Sequence, residues 1–507
     1  MILALLLCAW LLWQQGLSSA LVLGDIPGLW RSVWLSGFTG LLSTVLAALL
    51  AVYWVQVGQR FAWLVGVPHL ALAVGLAQIW SPSGLWGHWS VASGLLAQVP
   101  QFPNLRDDNG LFMVFALMLK EAAFLAIVFG SQSTAEDGQR VILARSLGCN
   151  RAQAYWRVHV PMMLARGRYA IWLALTYAVT QVEVASVLSP QRPPTLALMI
   201  IERLNDARPE AWTQAIWLVL ALVVLVMLTI VTFELLLKPL LVHRAFGETL
   251  AQRCLSGFSR FAALHIVLSI VILTVLAVSK RWPSGQWLPS GWHIDTLSRV
   301  LSGDVFLNTL MLGLTASLLG ILIALTLLHF GWRFAGASRI WVVAALGLPS
   351  LLTVLGLYWL SVQTQLPSIL VLLWGHGFVV LAYQLLLLAP AWQKLPKPLC
   401  DQAASLGMRP WQVTSRVRLP LMSRVIATAV AIGFSVSVAQ YVSTLVLTGG
   451  RVQTLGIEVV IAAGSGQRNY LAASALMLAS LPAVVFWISH AAPNWLWRTR
   501  KGMQIVD

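Results

Sequence analysis

From Trp217 to Phe233 the chain runs through apolar residues without a single charge, and stretches of this kind recur along its length. A helix that crosses the hydrocarbon layer needs about 20 mostly apolar residues, because its N–H and C=O groups find no water there and must be satisfied within the segment. Twelve segments fit that requirement. They run Leu3 to Leu21, Leu35 to Val57, Phe61 to Ile79, Leu111 to Phe129, Tyr169 to Leu188, Trp212 to Leu236, Phe261 to Val278, Val305 to His329, Trp341 to Val362, Ser368 to Leu388, Val425 to Leu447 and Leu471 to His490. Only 10% of the residues are charged and 59% are apolar, where soluble domains carry about 25% charged residues. The expectation is an all-α integral membrane protein, which excludes soluble enzymes. The first segment, interrupted by Gln14 and Gln15, competes with a signal peptide ending near Ser18-Ser19-Ala20; it lacks a basic leader, so we read it as a retained span.

The net charge of +16 could suggest a nucleic-acid partner. With the N-terminus placed in the cytoplasm, however, the inside loops and tail hold 22 Lys and Arg against ten outside, and six acids against nine. Inside nets +16 and outside +1. The positive-inside rule therefore absorbs the basic excess, and nucleic acid is not needed. Cys8, Cys149, Cys254 and Cys400 form no CxxC pair, and His69 and His88 are too far apart for a zinc helix. No metal and no cofactor is expected.

Shifting the chain by 259 residues superimposes two inside loops. Ala144, Ser146, Leu147 and Gly148 fall on Ala403, Ser405, Leu406 and Gly407; Gln153, Arg157, Val158, Pro161 and Met163 fall on Gln412, Arg416, Val417, Pro420 and Met422. The register continues into the next span, where Gln181 and Val187 meet Gln440 and Val446. A duplicated unit fixes the architecture: two six-helix repeats, residues 1–245 with a loop at 138–163 and residues 246–507 with a loop at 395–422. Each loop reads as helix, glycine, then a short amphipathic helix near proline. Gly148 and Gly407 suit a left-handed helix stop, and Pro161 and Pro420 a helix start.

The pattern of Ala, three residues, Gly, nine residues, Val, one residue, an apolar residue and Pro resembles the EAA loop of binding-protein-dependent ABC importer permeases. The whole chain resembles fused double permeases of the ferric-iron and thiamine uptake kind, an enterobacterial permease among them. That resemblance implies a type I ABC importer permease fold in a bacterial inner membrane, multi-pass with both termini cytoplasmic. It implies a cytoplasmic ABC ATPase dimer docked on the loops through Ile142, Ala144, Gly148, Pro161, Asp401, Ala403, Gly407 and Pro420, and a periplasmic solute-binding protein. Lipid is the remaining partner. The family's leading Glu is Asp401 in the second loop and Ile142 in the first, so symmetric docking salt bridges are not expected. No Lys follows a Gly anywhere, so the chain lacks a GK[ST] phosphate loop and is read as a transport subunit rather than an enzyme.

Ionisable groups inside spans are costly unless paired or wetted. Lys120, Glu121, Gln181, Glu183 and Gln440 are the candidates for a translocation path. Glu183 is the expected partner of Lys120, since adjacent Lys120 and Glu121 point about 100° apart on a helix. His376 is read as an interhelical hydrogen-bonding group, and tryptophans such as Trp80 and Trp282 as interface anchors. An ion-coupled transporter of six-plus-six design is the alternative; it would need membrane carboxylates and no loop motif.

Overall fold

The structure, a computed structural model, describes residues 26–58, 64, 66–98, 105–132, 135–190, 192–242, 248–283, 285–332 and 349–496. The described residues are helical apart from turns and one isolated bridge between Ser279 and Trp292. The first half contains α1 (Leu29–Val57), α2 (His69–Trp80), α3 (Leu85–Ala92), α4 (Leu111–Gln132), α5 (Ala135–Ser146), α6 (Arg151–Ala154), α7 (Val160–Arg166), α8 (Arg168–Thr180), α9 (Glu183–Leu188), α10 (Leu196–Leu204) and α11 (Pro209–Val242). The second contains α12 (Glu248–Val278), α13 (Asp295–Ser302), α14 (Asp304–His329), α15 (Ser350–Thr364), α16 (Ser368–Gln393), α17 (Lys397–Ser405), α18 (Pro410–Val413), α19 (Leu419–Leu421), α20 (Ser423–Val438), α21 (Tyr441–Thr448), α22 (Leu455–Ser465) and α23 (Arg468–Leu496).

Seven of these helices, α1, α4, α11, α12, α14, α16 and α23, are long and apolar enough to cross a membrane. They coincide with seven of the twelve expected spans. The span at Leu3 to Leu21 lies outside the described residues, as do parts of those at Phe61 to Ile79 and Trp341 to Val362. Two expected spans are not continuous helices. Tyr169 to Leu188 is divided between α8 and α9, and Val425 to Leu447 between α20 and α21. At 1.5 Å per residue the 13-residue α8 covers only about 20 Å, short of a hydrocarbon thickness of about 30 Å.

Each half builds its core from equivalent helices: α1 with α4 and α8, and α14 with α16 and α20. The match reaches beyond the loops. Ser36 Oγ of α1 accepts the Leu196 N–H at 2.8 Å, and Thr309 Oγ1 of α14 accepts the Leu455 N–H at 2.8 Å, so one hydroxyl caps α10 and its counterpart caps α22. One turn further, Gly40 and Gly313 occupy close helix crossings, where an added Cβ would lie 2.4 Å from the Val179 side chain and 2.7 Å from Phe434. These pairs differ by 273 residues instead of 259. The first half therefore carries 14 extra residues between its opening helix and its loop (the two caps span 160 and 146 residues).

Candidate functional site

Both loops are closed by the same backbone device. Gly148 has φ +94° and Gly407 φ +81°, the left-handed region that a Cβ disfavours. After each, two bonds run back to the last helical turn: Cys149 N–H to Ala144 O at 3.1 Å and Gly148 N–H to Arg145 O at 3.1 Å; Met408 N–H to Ala403 O at 3.2 Å and Gly407 N–H to Ala404 O at 2.9 Å. This is a Schellman closure, which satisfies carbonyls that a helix end leaves open. It also accounts for Ala144 and Ala403, which are buried at the closing turn.

The next helix begins with a reciprocal cap. The Asn150 side chain accepts the Gln153 N–H at 2.8 Å while Gln153 Oε1 accepts the Asn150 N–H at 3.1 Å. At the second loop Gln412 Oε1 accepts the Arg409 N–H at 2.8 Å, and Arg409, having no side-chain acceptor, supplies no return bond. Neither Pro161 nor Pro420 starts a fresh helix, as the sequence pattern suggested. Each sits just past a π-helical turn, Tyr155–His159 or Thr414–Arg418, in one helical path. A proline has no N–H and tolerates a disrupted ladder. The π turns lie at the same 259-residue shift as the glycines.

The loops differ in their bracing. In the first, Arg166 forks onto buried Asp137 at 2.5 and 2.9 Å, tying α7 to α5. Pro396 and Val425 stand at the equivalent positions of the second, where Arg418 instead lies 5.0 Å over the Trp392 ring. Burial holds the His159 imidazole below its ordinary value; the Asp137 carboxylate opposes the shift and Arg166 adds to it. Between these devices the loops present apolar side chains outward. Ile142 is 66% exposed, Leu147 78%, Leu406 81% and Trp411 56%. Asp401, the counterpart of Ile142, is also exposed.

The broken helices carry the second group of candidates. Gln181 and Gln440 stand in the two breaks, with non-helical backbone at φ −71°, ψ 121° and φ −84°, ψ 68°. Such backbone survives at membrane depth only where the protein itself satisfies it. Glu183 does so across the halves: its Oε1 accepts the Tyr441 N–H at the start of α21, at 3.2 Å. His376 braces the same break from α16, with Nδ1 2.9 Å from Ser437 Oγ and Nε2 3.1 Å from Thr444 Oγ1, in keeping with its interhelical reading. Gln440 Nε2 donates to His376 O at 3.3 Å.

Lys120 and Glu183 thus have different partners from those the sequence suggested. Lys120 Nζ donates to the carbonyls of Leu64 and Val67, at the turn before α2. Glu121 Oε1 is 3.1 Å from His69 Nε2, whose Nδ1 is 2.9 Å from the Tyr177 hydroxyl. His69 was not among the expected path residues. Its signal was there: a histidine opening a short apolar helix beside Pro68, polar where only apolar contacts are otherwise available. Gln181 lies close to Tyr177 and Glu183. The structure therefore gathers Glu121, His69, Tyr177, Gln181 and Glu183 on one side of the half-to-half junction, and Gln440 with His376 on the other.

Residues 316–496 match the family described as binding-protein-dependent transport system inner membrane component. The chain is 28% identical over 464 residues, 89% of its length and 84% of the relative's, to the inner membrane ABC transporter permease protein YnjC of Escherichia coli K12. It is 25% identical to the putative 2-aminoethylphosphonate transport system permease protein PhnV of Salmonella choleraesuis, covering 46% of this chain and 93% of that one. It is 26% identical to the probable sulfate transport system permease protein cysT of Zygnema circumcarinatum, covering 48% and 90%. Relatives almost wholly covered by half of this chain are about half its length. The chain thus carries, over residues 316–496, the inner membrane component domain of binding-protein-dependent transport systems, and most of its length is similar to an ABC transporter permease.

Proposed function

We propose that the chain is the transmembrane subunit of an ABC importer, a fused pair of permease repeats at 1–245 and 246–507. A separate cytoplasmic ATPase dimer docks on the loops at 138–163 and 395–422, a periplasmic binding protein delivers the solute, and both termini face the cytoplasm. The observation that carries this reading is the duplicated loop backbone: Schellman glycine, glutamine cap and π turn recur at one sequence shift, with exposed apolar residues between them. A surface built twice to the same shape suits two copies of one partner. The broken helices that follow the loops transmit loop movement to Gln181, Glu183 and Gln440 at the junction, where Lys120 and Glu121 complete the polar path. An ion-coupled transporter would have no use for the paired loops.

The test is energetic. Purified alone, the chain hydrolyses no ATP; with its cognate ATPase it forms a complex that does, and the complex is lost when both loops are replaced by Gly/Ser linkers. Hydrolysis by the isolated chain, or full activity of the loop-replaced complex, refutes the reading. Reporter fusions after Gln153 and Gln412 should both report cytoplasm and one near Asp107 periplasm.

A further inference from the structure

We infer that the cavity on the face away from the two loops is the receiving site for a small anionic solute, selected by Arg106 and Arg468; this rests on the permease reading above. The cavity measures about 300 Å³ and is lined among others by Gln78, Ser81, Ser83, Arg106, Val187 and Arg468. Its lining holds two guanidinium groups and no carboxylate. Its position follows from chain direction: Arg106 precedes α4, and α4 runs from Leu111 toward the first loop, so the cavity lies at the opposite end.

Both arginines donate hydrogen bonds to neutral groups, which help fix the guanidinium planes. Arg468 Nε and Nη2 donate to Gln78 Oε1 at 3.3 and 3.2 Å. Arg106 Nε donates to Val187 O at 3.2 Å and its Nη2 reaches Ser186 O at 3.5 Å. Guanidinium presents a planar fork that matches carboxylate, phosphate or sulfate oxygens, and the hydroxyls of Ser81 and Ser83 add donors that suit the same groups. A low-dielectric cleft with charge of one sign focuses its field on the opening and repels cations. The volume is at the lower end for ligand pockets, which favours a small solute.

The cavity also leads inward. Val187 lies one helical turn beyond Glu183 on α9, so the same short helix joins the cavity to the Glu183–Tyr441 junction. Arg106 comes from the first half and Arg468 from the second, so any rocking of the halves changes their separation. An anion held between them is gripped or released by that motion.

Charge-selective thiol labelling tests this on the full chain in nanodiscs, with Cys8, Cys149, Cys254 and Cys400 replaced by Ser. Ser83→Cys reports from the cavity. Thr364→Cys serves as the neutral control, exposed and with no Lys, Arg, Asp or Glu between residues 341 and 393. The ratio of rates for an anionic over a cationic methanethiosulfonate should be about tenfold higher at Ser83→Cys than at Thr364→Cys. Arg106→Gln and Arg468→Gln should each lower it toward the control. Inorganic phosphate should slow labelling at Ser83→Cys more than chloride of equal ionic strength does. An unreactive Ser83→Cys, a ratio equal to the control, one indifferent to both arginine variants, or no phosphate effect overturns the anion site. ATPase co-purification on the same samples separates the two readings. Retained ATPase binding without anion preference removes the anion site alone, whereas failure of the unaltered chain to bind its ATPase removes the permease reading.

Discussion

Glu183 and Tyr441 join the two halves of the protein at the point where each half interrupts a helix: the carboxylate of one accepts the main-chain N–H of the other at 3.2 Å. Both residues are buried, Glu183 at 6% and Tyr441 at 8% exposure. The Tyr441 N–H also reaches Ala439 O at 3.0 Å, so the carboxylate shares a donor that would otherwise have only a strained local partner.

Removing that acceptor should loosen the junction. Leaving a buried donor without its acceptor costs about 1–3 kcal/mol, and Glu183→Ala should lower the thermal unfolding temperature of the purified chain accordingly. Glu183→Gln keeps an oxygen at the same place and should recover at least half of the loss. Unfolding temperatures that agree for Glu183→Ala and the unaltered chain would show that the bond stabilises nothing.

The glycines at 148 and 407 make a graded prediction. Nothing lies within 4 Å of the position a Cβ would take at either one, so the cost of a side chain is conformational rather than steric, about 1–2 kcal/mol in the left-handed region. Asn tolerates that region best, Ala less, and a β-branched residue least. ATPase co-purification at matched expression should fall in the order Gly, Asn, Ala, Val at both sites. Equal loss with Asn and Val would mean instead that the ATPase backbone approaches the glycine too closely for any side chain.

The loops were legible in the sequence because their signals are local and repeated: a glycine that must turn left, and a glutamine and a proline that recur at the same shift. The breaks at Gln181 and Gln440 were not. Neither run carries Gly or Pro at the break, and an unbroken apolar stretch reads as one span. What sustains the break at Gln440 is tertiary, Glu183 from the other half and His376 from another helix, and no window along the chain contains it. The pairing of Lys120 failed for the same reason. Main-chain carbonyls at Leu64 and Val67 satisfy it, and every residue has a carbonyl, so sequence cannot single those two out. The 273-residue offset of α1 and α14 was not legible either, because the 14 extra residues of the first half lie where sequence identity between the halves has faded.

Acid should weaken the first loop before the second. Burial lowers the His159 imidazole from its ordinary value of 6.5 in the folded loop, so the unfolded form binds the proton more readily. Stability is complete above about pH 6.5 and is lost as pH falls toward the folded value. The second loop has Arg418 at the equivalent place and no histidine between residues 395 and 422. Hydrogen exchange over residues 151–166 should accelerate between pH 7.5 and 5.5 more than over 410–421, and His159→Phe should flatten the dependence. Equal acceleration in both loops, or a dependence that persists in His159→Phe, would remove His159 as the cause.

The loops should also differ in how they hold the ATPase. Ile142 and Asp401 occupy one position of the duplicated backbone, on the helix that precedes the glycine, and both face solvent. Asp401 can accept a charge-assisted bond from a partner Arg, worth about 1.5–3 kcal/mol once desolvated, whereas Ile142 offers apolar contact alone. Asp401→Ala should therefore reduce ATPase co-purification more than Ile142→Ala, and the gap should narrow at high salt, which screens the ion pair and leaves the apolar contact intact. Asp401→Asn retains an acceptor without the charge and should fall between the unaltered chain and Asp401→Ala. Should Ile142→Ala prove the more damaging, with no response to salt, docking at this position is apolar in both loops and the carboxylate is incidental; the shared backbone shape would then account for recognition by itself.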